Sequence, residues 1–234
     1  EQRLPESAQS ASQTALLSAS VASLLAACGG GGAAPAAVVP VVPVTLAYTY
    51  VYPAAGTDQE ASRFLAQAQF SASDADIAAV RSAGFAAWLQ QQIARPMGTT
   101  GWDWLESKGY GDVNNPANYY DSNSPADYMM WSQLMTAPDA VRKRMALALS
   151  EFFVVSGNGL RFNWRSHAAA HYWDTLNTHA FGNFRDLLEA ISLNVAMGYY
   201  LNTKGNKKAN GRGSQPDENY AREVMQLFTV GLVL

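Results

Sequence analysis

The chain has 234 residues, 16 basic against 19 acidic, and a formal net charge of −3. That balance argues against a general nucleic-acid binder, which is normally basic. A single cysteine excludes an internal disulfide and a thiolate metal cluster.

In chain order, the first element is an uncharged run of apolar and small residues from Thr14 to Ala27. At about 14 residues it is shorter than the ~20 of a membrane-spanning helix and matches a signal-peptide core. It ends Leu25-Ala26-Ala27-Cys28 and runs into Gly29–Gly32. Small side chains before a thiol are what a lipoprotein signal requires, so residues 1–28 are expected to be such a signal, with Cys28 as the acylation site. The flank holds only Arg3 against Glu1 and Glu6 and no initiator Met, so the start reads as trimmed. The competing reading is an Ala/Ser-rich leader with Cys28 as an incidental thiol. Several acyl chains on one N-terminus would give durable anchoring where one gives marginal binding.

Residues 29–56 carry Gly, Ala, Pro and Val, and no charge until Asp58. Pro35, Pro40, Pro43 and Pro53 forbid a regular helix, and the Val-Pro repeats favour an extended spacer. This is expected to be a disordered tether, with alternating Tyr48, Tyr50 and Tyr52 able to form a short strand or to dock on the body.

Residues 57–234 suffice for one domain with a real core. Thr57-Asp58-Gln59-Glu60 reads as a capping box, followed by Ala61, Phe64, Leu65 and Ala68 at helical spacing. Ser73 opens a second helix, with Ile77 and Val80 inward and Gly84 closing it. Phe85, Trp88, Leu89, Gln92 and Ile93 make a third, stopped at Pro96. A Trp-rich turn (Trp102, Trp104) and an Asn/Tyr loop lead to Ser124-Pro125, read as N-cap and first helical residue. Val141, Met145, Ala148, Leu149 and Phe152 stripe a long helix, and Ala169, Tyr172, Trp173, Leu176 and Ala180 the next. Asn183 caps one packed through Leu187, Leu188, Ile191 and Val195. The last begins at Pro216 and buries Tyr220, Val224, Leu227 and Phe228. The fold class is all-α, an irregular multi-helix array. Phe228–Leu234 runs off an apolar helix end, so the domain is expected to be cut short at its C-terminus.

The run PDENYAREVMQLFTVGL at 216–232 resembles a bacterial family catalogued as domain of unknown function 1800. So do Arg63-Phe64-Leu65 with Phe70 and the following SASDADIAAVRSAGFAAWLQQQI, RKRMALALSEFFVVS at 142–156, and YWDTLNTHAFGNFRDLLEAISLNVAMGYYLN at 172–202. The likeness covers about residues 61–234, the family's first part. It implies a mostly helical, often exported protein with no generally assigned reaction. It also implies an exported, sulfatase-like partner, because genes of the two families are frequently neighbours. Some members carry His where this chain has Phe228 and Ser150-Glu151-Phe152, so no metal or acid–base role carries over from those histidines.

Three polar constellations are candidates for chemistry. Glu218, Asn219, Arg222 and Glu223 form a polar face at i, i+4 spacing, either ordinary helix-stabilising pairs or a pre-ordered catalytic network. His167, His171 and Asp174 fall at i, i+4, i+7, which suits a divalent metal, but no His-Glu-x-x-His pattern is present and a solvated helix face is preferred. His179 is read as bracing a turn. Lys207, Lys208 and Arg212, with Lys204 and interspersed glycines, could hold an anion. Asp217 and Glu218 at the adjoining helix start oppose that, and a flexible, solvated surface loop is preferred.

No nucleophile elbow, Walker loop or dinucleotide fingerprint occurs, and no cofactor is assigned. The preferred expectation is a lipid-anchored envelope protein, exported to the periplasmic or surface face, that scaffolds or assists an exported partner. The alternative is an exported hydrolase using the 218–223 cluster. Metabolic labelling with a palmitate analogue should tag the protein, and Cys28→Ala should abolish the tag; a labelled Cys28→Ala protein refutes the anchor.

Overall fold

The computed structural model describes residues 54–231, so the expected signal, Cys28 and the expected tether through residue 53 lie outside the described residues. Ten α-helices and no strand occur among the described residues, and the fold is all-α as expected. None of these helices is long and apolar enough to cross a membrane.

The first three helices, α1 (Asp58–Ala68), α2 (Asp74–Ala83) and α3 (Phe85–Ala94), start where local chemistry places them. The Thr57 hydroxyl accepts from the Glu60 amide, and the Glu60 carboxylate accepts from Gly56 one residue upstream of the expected box. Ser73 and Asp76 form a full reciprocal box. Gly84 has φ +78°, a left-handed conformation that costs glycine little, and it ends α2 while opening α3. These helices enclose a small core of Ala61, Leu65, Val80 and Trp88, closed by Val141 from a later helix.

The larger core is built around α7 (Arg165–Thr178), which packs against α4 (Gly101–Ser107), α5 (Ser124–Thr136), α6 (Ala140–Phe152), α8 (Phe184–Ser192) and α9 (Val195–Tyr200). Trp173, Leu176, Leu105, Met129, Phe153 and Ile191 are fully buried in it. The Trp173 indole N–H donates to Gln133 Oε1 at 2.7 Å, so its polar tip is satisfied inside. Gly101 sits against α5, where a Cβ would lie 2.8 Å from Met129 Sδ.

Several expectations are corrected. The Trp102–Trp104 turn is the helix α4, its start held by Thr100 Oγ1 accepting from the Asp103 amide. Asn123 occupies the cap position of α5, making Ser124 its first residue and Pro125 its second. The segment 184–195 is not continuous: Asn194, buried, accepts from the Ala196 amide and starts α9, leaving Val195 exposed. The last helix, α10 (Asn219–Met225), starts three residues after Pro216 and continues as a π-turn at Gln226–Val230, which buries Phe228 but exposes Leu227. On α6 the inward residues are Val141, Lys143 and Ala146, while Met145 and Phe152 are exposed.

Phe153 closes the large core from the end of α6: its ring meets Phe152, Phe184 and Phe228, and its carbonyl accepts from the Tyr172 hydroxyl. Phe153→Ala should therefore cost about 3–5 kcal/mol in denaturant unfolding. A loss below about 1 kcal/mol would contradict this packing.

Candidate functional site

The candidate residues separate in space. His167 is buried, not solvated: its Nε2 donates to Glu106 Oε1 at 2.8 Å, and Trp102 and Trp164 meet its ring edgewise at 4.9 and 5.0 Å. His171 is exposed and accepts at Nδ1 from the Asn194 amide at 3.0 Å. Asp174 turns to the start of α4 and accepts from the Gly101 and Trp102 backbone N–H groups at 2.6 and 3.0 Å. These three residues thus have three different partners, and no group of three metal-ligating side chains gathers among the described residues. His179 follows α7 as its C-cap, and its backbone carbonyl accepts from Gly182 N.

Lys207, Lys208 and Arg212 are exposed on their loop. The amides that would cradle an anion are already used, because Arg212 N and Ser214 N donate to Asn210 Oδ1 and Asn219 N donates to Asp217 Oδ1. Asn206 clamps the loop base by exchanging two hydrogen bonds with the Asp217 backbone.

On α10, Glu218 and Arg222 are exposed and form no ion pair among the described residues. Asn219 and Glu223 are half-buried. Glu223 lines a cavity of about 210 Å³ together with Phe152, Val154, Leu227 and Phe228. The surroundings are aromatic: Phe152 lies 6.0 Å from Phe228 and 6.4 Å from Phe184, and Phe153 sits 5.0 Å from Phe228. Phe228 and Phe153 are buried, but Phe152, Phe184 and Leu227 stay 43–47 % exposed. The result is a half-open apolar face with one carboxylate at its edge.

A second cluster escaped sequence reasoning. Lys143 is 0 % exposed and lies 3.4 Å from Asp139, itself 2 % exposed. Asp139 also accepts from Gly98 N at 3.1 Å, and Arg142 donates to the Asn177 and Arg95 carbonyls. Burial lowers the Lys143 pKa from 10.5, with Asp139 opposing the shift, and burial raises that of Asp174, with the Gly101 and Trp102 amides opposing it. The lysine signals nothing in the sequence, since that residue type is almost always outside.

The sign of the Lys143 effect is fixed by linkage. Below the folded pKa the ammonium is charged in both states, and folding carries its full desolvation cost. As pH rises from that value to 10.5 the unfolded chain holds the extra proton, so stability climbs. Lys143→Met should lower stability by leaving Asp139 only the Gly98 amide and Arg142, at less than the ~3–5 kcal/mol of a fully stranded buried charge, and it should also flatten that climb. Urea unfolding between about pH 7 and 10 reads both effects, and parallel profiles for the two proteins would refute a buried ammonium.

A family profile described as protein of unknown function (DUF1800) matches residues 63–233. No curated protein and no solved structure matches the chain. The matched span takes in most of α1 and every later helix, including the aromatic face, the buried Lys143 cluster and α10, so the chain belongs to the DUF1800 family.

Proposed function

We propose that the protein is a lipid-anchored component of the bacterial cell envelope, held by Cys28 and the 29–56 tether, and that it serves as a scaffold or accessory to an exported, sulfatase-like partner. The observation that carries this reading is the half-open face of Phe152, Phe184 and Leu227. Side chains of this size gain about 1.5–3 kcal/mol each on full burial, so leaving three of them together in water favours a partner that covers them. Aromatic and aliphatic anchors ringed by polar residues are the composition of an interface centre. The neighbouring Glu223 supplies one charge at the edge, available to a donor on the partner.

An exported hydrolase acting through Glu218, Asn219, Arg222 and Glu223 is the second reading, favoured by the place of Glu223 in the lining of its cavity. Exposed Glu218 and Arg222 give it no enclosed acid–base pair.

Affinity purification from solubilised membranes tests the first reading. The tagged protein should recover one stoichiometric exported partner, and Phe184→Asp with Leu227→Asp should lose it while the protein stays folded. Repeated recovery of no partner, or equal recovery with the substituted face, would overturn the proposal.

A further inference from the structure

The chain holds two Asn-Gly pairs, Asn158-Gly159 and Asn210-Gly211. An asparagine followed by glycine can modify itself, because no Cβ hinders the next backbone nitrogen from reaching the side-chain carbonyl carbon. Folding decides whether that approach stays open, and it treats the two pairs differently.

Asn158-Gly159 is closed. Gly159 N donates to the Ser156 carbonyl at 2.9 Å within a short 3₁₀ turn, Gly157–Gly159. The turn is packed against the end of α9, where a Cβ on Gly159 would lie 2.7 Å from the Tyr200 ring. The Asn158 side chain is held as well, its Oδ1 accepting from Asn123 Nδ2 at 3.3 Å.

Asn210-Gly211 is open. Both residues are exposed, and Gly211 N donates to no group among the described residues. The Asn210 side chain folds back along the loop, its Oδ1 accepting from Arg212 N at 3.0 Å and from Ser214 N at 3.1 Å. Bonding to the amide two residues on lays the side-chain carbonyl over the intervening peptide, whose nitrogen is Gly211 N. The same two donors polarise that carbonyl, at the ~2.7–3.1 Å from which backbone amides stabilise an oxyanion. Two backbone bonds brace the frame, Asn210 N to Ser214 O at 3.1 Å and Gly213 N to Asn210 O at 3.3 Å. From Thr203 to Pro216 the chain carries Lys204, Lys207, Lys208 and Arg212 and no carboxylate, so the local field favours loss of an amide proton.

We propose that Asn210 is a self-modifying site, converted by its own folded loop to aspartate and isoaspartate. Gly211 N gives its proton to solvent hydroxide and forms a bond to Asn210 Cγ. The negative charge passes to Oδ1, where Arg212 N and Ser214 N hold it. It returns as the Cγ–Nδ2 bond breaks, and Nδ2 takes a proton from water and leaves as ammonia. Water then opens the cyclic imide at either carbonyl, giving the α- or the β-linked aspartate. Each conversion lowers the positive charge of the loop by one unit and is irreversible, so the loop records the age of the chain. No residue of the aromatic face takes part, and the inference is independent of the partner reading.

The full chain, aged in mildly alkaline buffer and digested, tests this by peptide mass spectrometry, with isoaspartate read by enzymatic methyl transfer. In the folded protein Asn210 should convert at least about tenfold faster than Asn158, the factor that one engaged amide and a packed turn supply. In urea the two rates should converge, with Asn210 no faster than in the folded chain. Gly211→Ala adds a methyl that meets nothing within 4 Å, at a φ outside the left-handed region, so the fold should be kept. That methyl crowds the attacking nitrogen and should slow conversion of Asn210 by roughly tenfold. Similar rates at the two sites in the folded chain, faster conversion of Asn210 in urea, or an unchanged rate in Gly211→Ala overturns the assignment.

Discussion

Placing charge inside the fold is the constraint around which the rest is arranged. The segment 95–100 between α3 and α4 has no regular structure and joins the helices of the small core to those of the large one, so its half-buried backbone groups need partners outside any helix. Side chains supply them. Asp139 takes Gly98 N, Asp174 takes the first amides of α4, Gln133 donates to the Thr99 carbonyl, and Arg142 donates to that of Arg95. Hydrogen bonds to charged groups contribute about 1.5–3 kcal/mol each, while desolvating each ion costs several kcal/mol. The two effects nearly cancel, so the cluster contributes position more than net stability. It holds the start of α4 against α7 and the 95–100 segment against α6.

Much of the helical scaffold was legible because helix ends and burial stripes are local. Thr57, Ser73, Gly84 and Asn183 act as caps where their side chains or backbone freedom predict, and Tyr172, Trp173 and Leu176 are the buried stripe of α7. Periodicity failed where a polar residue takes an inside position. Lys143 reads as solvent-facing, so the α6 stripe was phased onto Met145 and Phe152, which are exposed. His167 was assigned to a wet face although it is buried, with Glu106, 61 residues earlier, taking its Nε2 from α4. Asn194 was hidden within an apolar run because an asparagine that caps a new helix looks like an ordinary interruption in an old one.

The sites were less legible than the fold, for the same reason at longer range. Candidates chosen by i, i+4 spacing share a helix by construction, and a helix face alone encloses nothing. Two concave spaces, of about 280 and 210 Å³, draw on residues from distant parts of the chain: Asn123, Glu151 and Arg165 in the first, Phe152, Tyr200 and Leu227 in the second. Of the spaced constellations, Glu223 is the member that lines one of these two spaces.

Val154 lines both of those spaces, with Glu151 on one side of it and Phe152 on the other. A shared wall makes the two occupancies thermodynamically linked whenever filling one shifts the backbone at that residue. Such linkage is reciprocal: if a molecule in the first space strengthens attachment at the second, attachment must tighten retention of that molecule by the same factor. Val154, standing in both walls, is the residue through which such linkage would run.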